Sequence, residues 1–314
     1  MDVTVSLIRK RHLGWHGAGD KGRMTHDISK LKSLPIWSGD VSLQKMQGGL
    51  TNLNYLAEDQ KGKYVIRVGE DIPVHHVLRF NELAASKAAY QAGLSPKVVY
   101  TEPGILVLDY IESQTLTVRD VQNPDTLARL LKLLKRCHLE VPKYLRGPVL
   151  MFWVFHVIKD YAATLEEGQS GYRPMLKELL DITEGLEAAS QPGFIVFGHN
   201  DLLAFNFLDD GARLWLIDWD YAGFNSPLFD LGGLASNNNL DEAQEKWLLE
   251  NYFEKTVTSE LLHQYQAMKC ASLLRETLWS MVSEIHSNID FDYASYSQEN
   301  LTSFRKAYDV FLQS

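Results

Sequence analysis

Basic residues are the minority charge in this chain, with 31 Lys and Arg against 40 Asp and Glu and a formal net charge of −9. Nucleic-acid binders usually carry a basic surplus, so no nucleic-acid partner is expected. The balance instead suits a cationic small molecule. Cysteine is almost missing: only Cys137 and Cys270 occur, both in helical patterns. Buried free thiols in a reducing, cytoplasmic setting are expected rather than a disulfide. No apolar run approaches the ~18 residues that mark a membrane span. The basic N-terminal stretch is not followed by an apolar core, so no secretory signal is expected. Internal repeats and low-complexity segments are also lacking. Apolar residues make up 45% and charged residues 23% of 314 residues, which is ordinary for one large domain or two lobes.

The distribution of pattern along the chain is uneven. Residues 1–25 hold Arg9, Lys10, Arg11, Lys21 and Arg23 among glycines, and a mobile tail is expected there, with Met24 as a candidate start. Residues 1–40 are read as an N-terminal extension. Val41–Met46, Leu53–Ala57 and Lys63–Val68 read as strands of an antiparallel meander, joined by turns at Gly48-Gly49 and Asp59–Gly62. A helix over His75–Gln91 follows, with Leu78, Leu83, Ala84 and Ala88 on one side and Gly93 as its stop. Lys97–Tyr100 and Ile105–Tyr110 read as two more strands. Beyond them the chain turns helical, with helices from Asn123 onward and near 150–168, 173–188, 241–254, 258–286 and 296–312. Short strands at Phe194–Phe197 and Arg213–Ile217 flank a polar loop. The expected fold is α+β: a strand-rich lobe over 41–111 and a larger helical lobe over 112–314.

That polar loop carries the strongest chemical signal. It reads His199-Asn200-Asp201-Leu202-Leu203-Ala204-Phe205-Asn206, and an apolar run then closes on Asp218. His, an Asp two positions on, an Asn five further, and a later Asp form the polar skeleton of a kinase catalytic loop and its metal-binding Asp. Phosphoryl transfer needs a carboxylate to take a hydroxyl proton and hard oxygen ligands for Mg²⁺. Asp201 is the candidate base, Asn206 and Asp218 the candidate metal ligands, and His199 a candidate brace for the loop. A chance cluster of polar turn residues is the plainer alternative.

Three further sets stand beside that loop. Gln47-Gly48-Gly49-Leu50-Thr51-Asn52 is a hairpin turn whose N–H groups could face phosphate oxygens. Arg67 ends an apolar strand and Glu82 sits in the next helix, where kinases pair a cation with a carboxylate to position phosphates. Tyr221, Trp279, Tyr293 and Tyr296, with nearby acids, could box a quaternary ammonium through their ring faces. Core packing is the alternative for each ring.

Together these segments resemble the choline/ethanolamine kinases within the wider aminoglycoside-phosphotransferase-like and protein-kinase-like superfamily. The resemblance rests on Gly48–Asn52, Tyr64–Arg67, His199–Leu202, Ile217-Asp218-Trp219-Asp220-Tyr221-Ala222-Gly223, Phe229-Asp230-Leu231 and Phe291–Tyr296. It implies a kinase-like two-lobe fold and transfer of a phosphoryl group from ATP, with Mg²⁺, to the hydroxyl of a small cationic alcohol such as choline or ethanolamine. Asp201 would be the base, with Asn206 and Asp218 on the metal. Gly48, Gly49, Leu50, Thr51, Asn52 and Arg67 would hold the phosphates, with Glu82 supporting Arg67. Adenine would meet the backbones of Asp109 and Ile111. Tyr221, Trp279, Tyr293 and Tyr296 would line the ammonium pocket. Thiamine or aminoglycoside kinases would use the same machinery, and a non-catalytic pseudokinase is a further reading. A protein kinase fits poorly, since no Ala-Pro-Glu follows Asp218. Two departures stand out. Ala235-Ser236-Asn237-Asn238-Asn239 lacks the acid expected there, and Glu276 stands where a second aromatic precedes Trp279. Glu276 and Trp279 share a helix face at i, i+3, so Glu276 is expected to replace the missing acid.

Overall fold

The computed structural model describes residues 28–46, 52–190, 193–287 and 289–314. The tail over 1–25 and the turn residues Gly48, Gly49, Leu50 and Thr51 lie outside them.

The N-terminal lobe begins with α1 (Ile28–Lys32), β1 (Ser42–Lys45), β2 (Leu53–Glu58) and β3 (Lys63–Val68). It continues with α2 (Arg79–Gln91), β4 (Val98–Glu102) and β5 (Ile105–Asp109). The strands form one five-stranded antiparallel sheet in the order β1-β2-β3-β5-β4. Alternation sends Tyr55, Ala57, Ile66, Val68, Ile105 and Val107 to a common inner face. Leu31 and Leu34 close that core from outside the sheet, and Trp37 Nε1 donates to the Leu31 carbonyl at 2.8 Å. The stretch from residue 28 therefore packs with the lobe, although it was read as part of an extension to residue 40.

The C-terminal lobe opens with β6 (Gln114–Thr115), α3 (Val118–Gln122), α4 (Pro124–Glu140), α5 (Val154–Glu167) and α6 (Arg173–Ser190). Then come β7 (Val196–Gly198), β8 (Phe207–Asp209), β9 (Leu214–Leu216) and β10 (Gly223–Asn225). Four helices finish it: α7 (Pro227–Asn237), α8 (Glu242–Phe253), α9 (Ser259–His286) and α10 (Tyr293–Phe311). The helix α9 is the axis of the lobe, with α5, α6, α7 and α10 packed around it. Its burial is not confined to one stripe, as a helix surrounded by others requires. Gly232 lets α7 approach it, because a Cβ there would lie 2.9 Å from Lys269 Cα. Both cysteines are buried free thiols, as composition suggested. No helix among the described residues is long and apolar enough to cross a membrane.

The expected α+β architecture is observed, with shifts at some element ends. The helix expected from His75 begins at Arg79 instead. Pro73–His75 form a separate 3₁₀ turn, and His76 at φ 60° breaks continuity. Its buried side carries Asn81, Glu82, Ala85, Ser86, Ala88 and Ala89 rather than Leu78, Leu83 and Ala84. The helix α7 was not anticipated, since two glycines and a proline mask its apolar pattern. Ser226 starts it by capping the Leu228 amide.

Candidate active site

Local structure explains how the polar loop is held. Asn200 and Asp218 both adopt left-handed backbone, at φ 64° and 70°. Asn and Asp tolerate that region better than most residues. The Asn200 amide secures the bend by donating to the Tyr221 carbonyl at 2.9 Å and the Gly223 carbonyl at 3.2 Å. Beneath the loop, Asp230 accepts from the His199 and Asn200 amides at 2.8 and 2.7 Å, and from His138 Nε2 at 2.9 Å. Burial alone would raise the Asp230 carboxyl, but His138 and the His199 amide hold it below its ordinary value.

His199 is fully buried and its Nε2 donates to the Ile217 carbonyl at 2.9 Å. Its ring packs on Trp219 at 4.8 Å. Burial lowers its pKa, so the ring is neutral. His199 therefore ties the loop to the strand leading into Asp218, and its place in the fold is that of a brace. Asn206 Nδ2 donates to the Asp201 backbone carbonyl at 2.8 Å and to Asp201 Oδ2 at 3.4 Å. That orientation turns the Asn206 Oδ1 oxygen away from Asp201. The Asp201 carboxyl is pushed up to about 8, first by burial, with Arg275 opposing the rise and Glu276, Asp218 and Asp220 adding to it.

The lobes meet across a charged network. Arg67 on β3 pairs through Nε with Glu82 Oε1 at 2.7 Å. Its Nη2 reaches Asp218 Oδ1 at 2.7 Å and Asp220 Oδ1 at 3.1 Å. Arg79 joins Glu82 at 2.7 Å and Asp220 at 3.0 Å. Asn52 Nδ2 donates to Asp220 Oδ2 at 3.2 Å. Two guanidinium groups thus meet three carboxylates, and Asp218 is the most open of the acids, its side chain 29% exposed. Arg79 and Asp220 escaped the sequence reading. The signal available for Arg79 was its place one helical turn before Glu82.

The expected aromatic cluster also assembles. Trp279 Nε1 donates to the Tyr221 hydroxyl at 3.0 Å. Tyr293 lies against Trp279 with ring centres 6.2 Å apart. The Tyr296 hydroxyl donates to Glu276 Oε1 at 2.7 Å. Phe291 packs on Tyr293 and Tyr296 at 4.9 and 5.7 Å. One member went unpredicted: the Arg275 guanidinium lies 4.2 Å from the Tyr221 ring centre and 5.6 Å from Phe152.

The comparisons with known proteins give the family. A family model described as choline/ethanolamine kinase matches residues 43–249. The chain belongs to the choline/ethanolamine kinase family. A Protein LicA of Haemophilus influenzae is 25% identical over 262 residues, covering 81% of this chain and 76% of the relative. A probable ethanolamine kinase A of Dictyostelium discoideum is 27% identical over 311 residues, covering 87% of each chain. The crystal structure of a choline/ethanolamine kinase family protein from Mesorhizobium loti shares the fold with a TM-score of 0.71. It is 28% identical, and the match covers 89% of this chain and 92% of that one.

Against that family background, the two departures find structural explanations. In the acid-free stretch Asn238 is fully buried, and its Nδ2 donates to the Leu202 and Leu234 carbonyls at 3.0 and 2.8 Å. It holds the chain just after Asp201. Glu276 is not a free anion, since Arg275 Nη1 pairs with its Oε2 at 2.9 Å. Among the described residues no three His, Cys, Asp or Glu side chains gather into a metal cage. Mg²⁺ does not need one, because it binds through one or two carboxylates with substrate phosphates and water. The open carboxylate of Asp218 and the turned-out Oδ1 of Asn206 fit that mode.

Proposed function

We propose that this protein transfers the γ-phosphoryl group of ATP to the primary hydroxyl of a small amino alcohol of the choline and ethanolamine class. The observation that carries the reading is the position of Asp201. The charges of Asp218 and Asp220 reach it from the lobe interface, and those of Arg275 and Glu276 reach it from the aromatic cluster. A base between a phosphate site and an acceptor site is what the reaction requires.

Asp201 accepts the acceptor's hydroxyl proton as that oxygen bonds to the γ-phosphorus. The bond from phosphorus to the bridging oxygen breaks, and its electron pair leaves with ADP. Arg67, fixed by Glu82, would face the phosphates together with Asn52. Asp218 and Asn206 would hold Mg²⁺, which when bound neutralises phosphate charge. The Asp109 amide is taken by the Lys97 carbonyl at 2.9 Å, and the Ile111 carbonyl accepts from Ser113 Oγ at 3.0 Å. Adenine would therefore use the Asp109 carbonyl and the Ile111 amide. The Arg275 guanidinium over Tyr221 leaves less ring face for a trimethylammonium group, which favours ethanolamine-like amines over choline. A cytoplasmic location follows from the ATP requirement.

A screen of ADP release with choline, ethanolamine, thiamine and several aminoglycosides tests the reading, with Asp201→Ala as control. Turnover of an amino alcohol is expected, and inertness toward every alcohol would overturn it. Asp218→Ala should remove the metal dependence of nucleotide binding. Titration of ATP with and without Mg²⁺ should give affinities within about twofold, where the wild type differs by tenfold or more, about 1.4 kcal/mol. A variant that still binds ATP far better with Mg²⁺ would refute the role of Asp218.

A further inference from the structure

Arg275 interrupts the apolar run Leu273-Leu274-Arg275 on α9, and its residue surface is only 4% exposed. A buried guanidinium has five N–H groups to satisfy and a large desolvation cost if they are left idle. Nη1 is committed to Glu276 Oε2. The ring of Tyr221 covers one face of the plane. Nε and Nη2 are buried with no hydrogen-bond partner. These two nitrogens lie on the same edge of the guanidinium, where their N–H bonds run parallel. That edge is the fork that matches the two oxygens of a carboxylate.

Among the described residues nothing answers the fork. Two neighbouring polar atoms are likewise buried without partners, the Tyr161 hydroxyl and His75 Nδ1. His75 packs against both Trp279 and Tyr161, with ring centres at 5.1 and 5.9 Å. The charge of Arg275 acts on both residues, and also on Asp201. Among the described residues four buried polar atoms without hydrogen-bond partners thus lie by the aromatic cluster, where a cation already sits on the Tyr221 ring.

We infer that the Arg275 fork binds a carboxylate of the acceptor, so the preferred substrate is an amino alcohol that also carries a carboxylate. A monoanion suits the place better than a phosphate, because Glu276 stands close and would repel a second negative charge. The inference rests on the proposed phosphoryl transfer to an amino alcohol and narrows its acceptor.

The test measures kcat/KM by ADP release from Mg²⁺·ATP with the full chain. Ethanolamine and choline are compared with serine and homoserine, which add a carboxylate to the amino alcohol. The wild type should favour the carboxylated acceptors by about tenfold or more, the scale of one charge-assisted bidentate contact. This ratio needs no variant, so a folding failure cannot obscure it. Arg275→Met, close in volume, should abolish the preference, and Arg275→Lys should recover only part of it. Turnover of ethanolamine or choline with no gain from a carboxylate would overturn the inference and leave the kinase reading standing. An equal fall of kcat for every acceptor in both variants would also overturn it, because the fork would then serve the transferred phosphoryl group. No turnover with any alcohol would sink both.

Discussion

Asp201→Ala should lower kcat by about 10²–10⁴-fold, the usual contribution of a positioned general base. ADP affinity should stay within about twofold of wild type, because the proposed nucleotide site lies at the charged network of Arg67, Asp218 and Asn52, which Asp201 does not join. Stability should change little. Asn206 bonds mainly to the Asp201 backbone carbonyl, at 2.8 Å, and only at 3.4 Å to its carboxylate. Single-turnover rates, ADP titration and thermal unfolding together check the prediction. A variant that keeps most of its turnover would show that another group takes the proton. A variant that loses turnover and nucleotide binding together would place Asp201 on the phosphates instead.

Asp230→Ala is expected to act on the fold. The carboxylate is 2% exposed and answers three donors at once, two loop amides and His138. Its removal leaves all three buried without an acceptor and should cost about 3–5 kcal/mol, as breaking a buried pair does. A fall in Tm of roughly 10 °C would follow, and activity would drop because the left-handed bend at Asn200 loses its anchor. The sign with pH runs the same way. The Asp230 carboxyl is held below its ordinary value in the folded state. Its stabilisation is therefore complete above the unfolded carboxyl pKa of about 3.9 and is lost as pH falls through the lower folded value. Urea unfolding at pH 7 and at pH 3 should thus show a smaller gap between wild type and variant at the acid pH. An undiminished gap would assign the Asp230 effect to packing alone.

Much of the polar loop was legible in the chain because its parts are local. Asp201 and Asn206 are five positions apart, and their bond forms within one short turn. The strands of the N-terminal lobe were legible for the same reason, since alternation and turn residues report directly on neighbours. The shifted start of α2 shows the limit of that reading. Pro73 and the left-handed His76 outweigh an apolar pattern that continues through them. Residues whose function depends on long-range pairing gave weaker signals. Asp220 and Arg79 are far apart in the chain, and only lobe packing brings them to 3.0 Å. Asp230 stood in the chain only as part of the Phe229-Asp230-Leu231 resemblance, and its role beneath His199 came from the packing of α7.

By itself the sequence determined the two-lobe α+β class, the spacing of the polar loop from His199 to Asp218, and the aromatic residues that later cluster. These follow from periodicity, turn chemistry and short spacings, which act between neighbours along the chain. Tertiary structure decided the rest: that Arg67 bridges Glu82, Asp218 and Asp220, that His199 braces the loop, and that Arg275 enters the aromatic cluster. Charge pairing and desolvation depend on distance and burial in space, and those quantities exist only once distant segments have packed together.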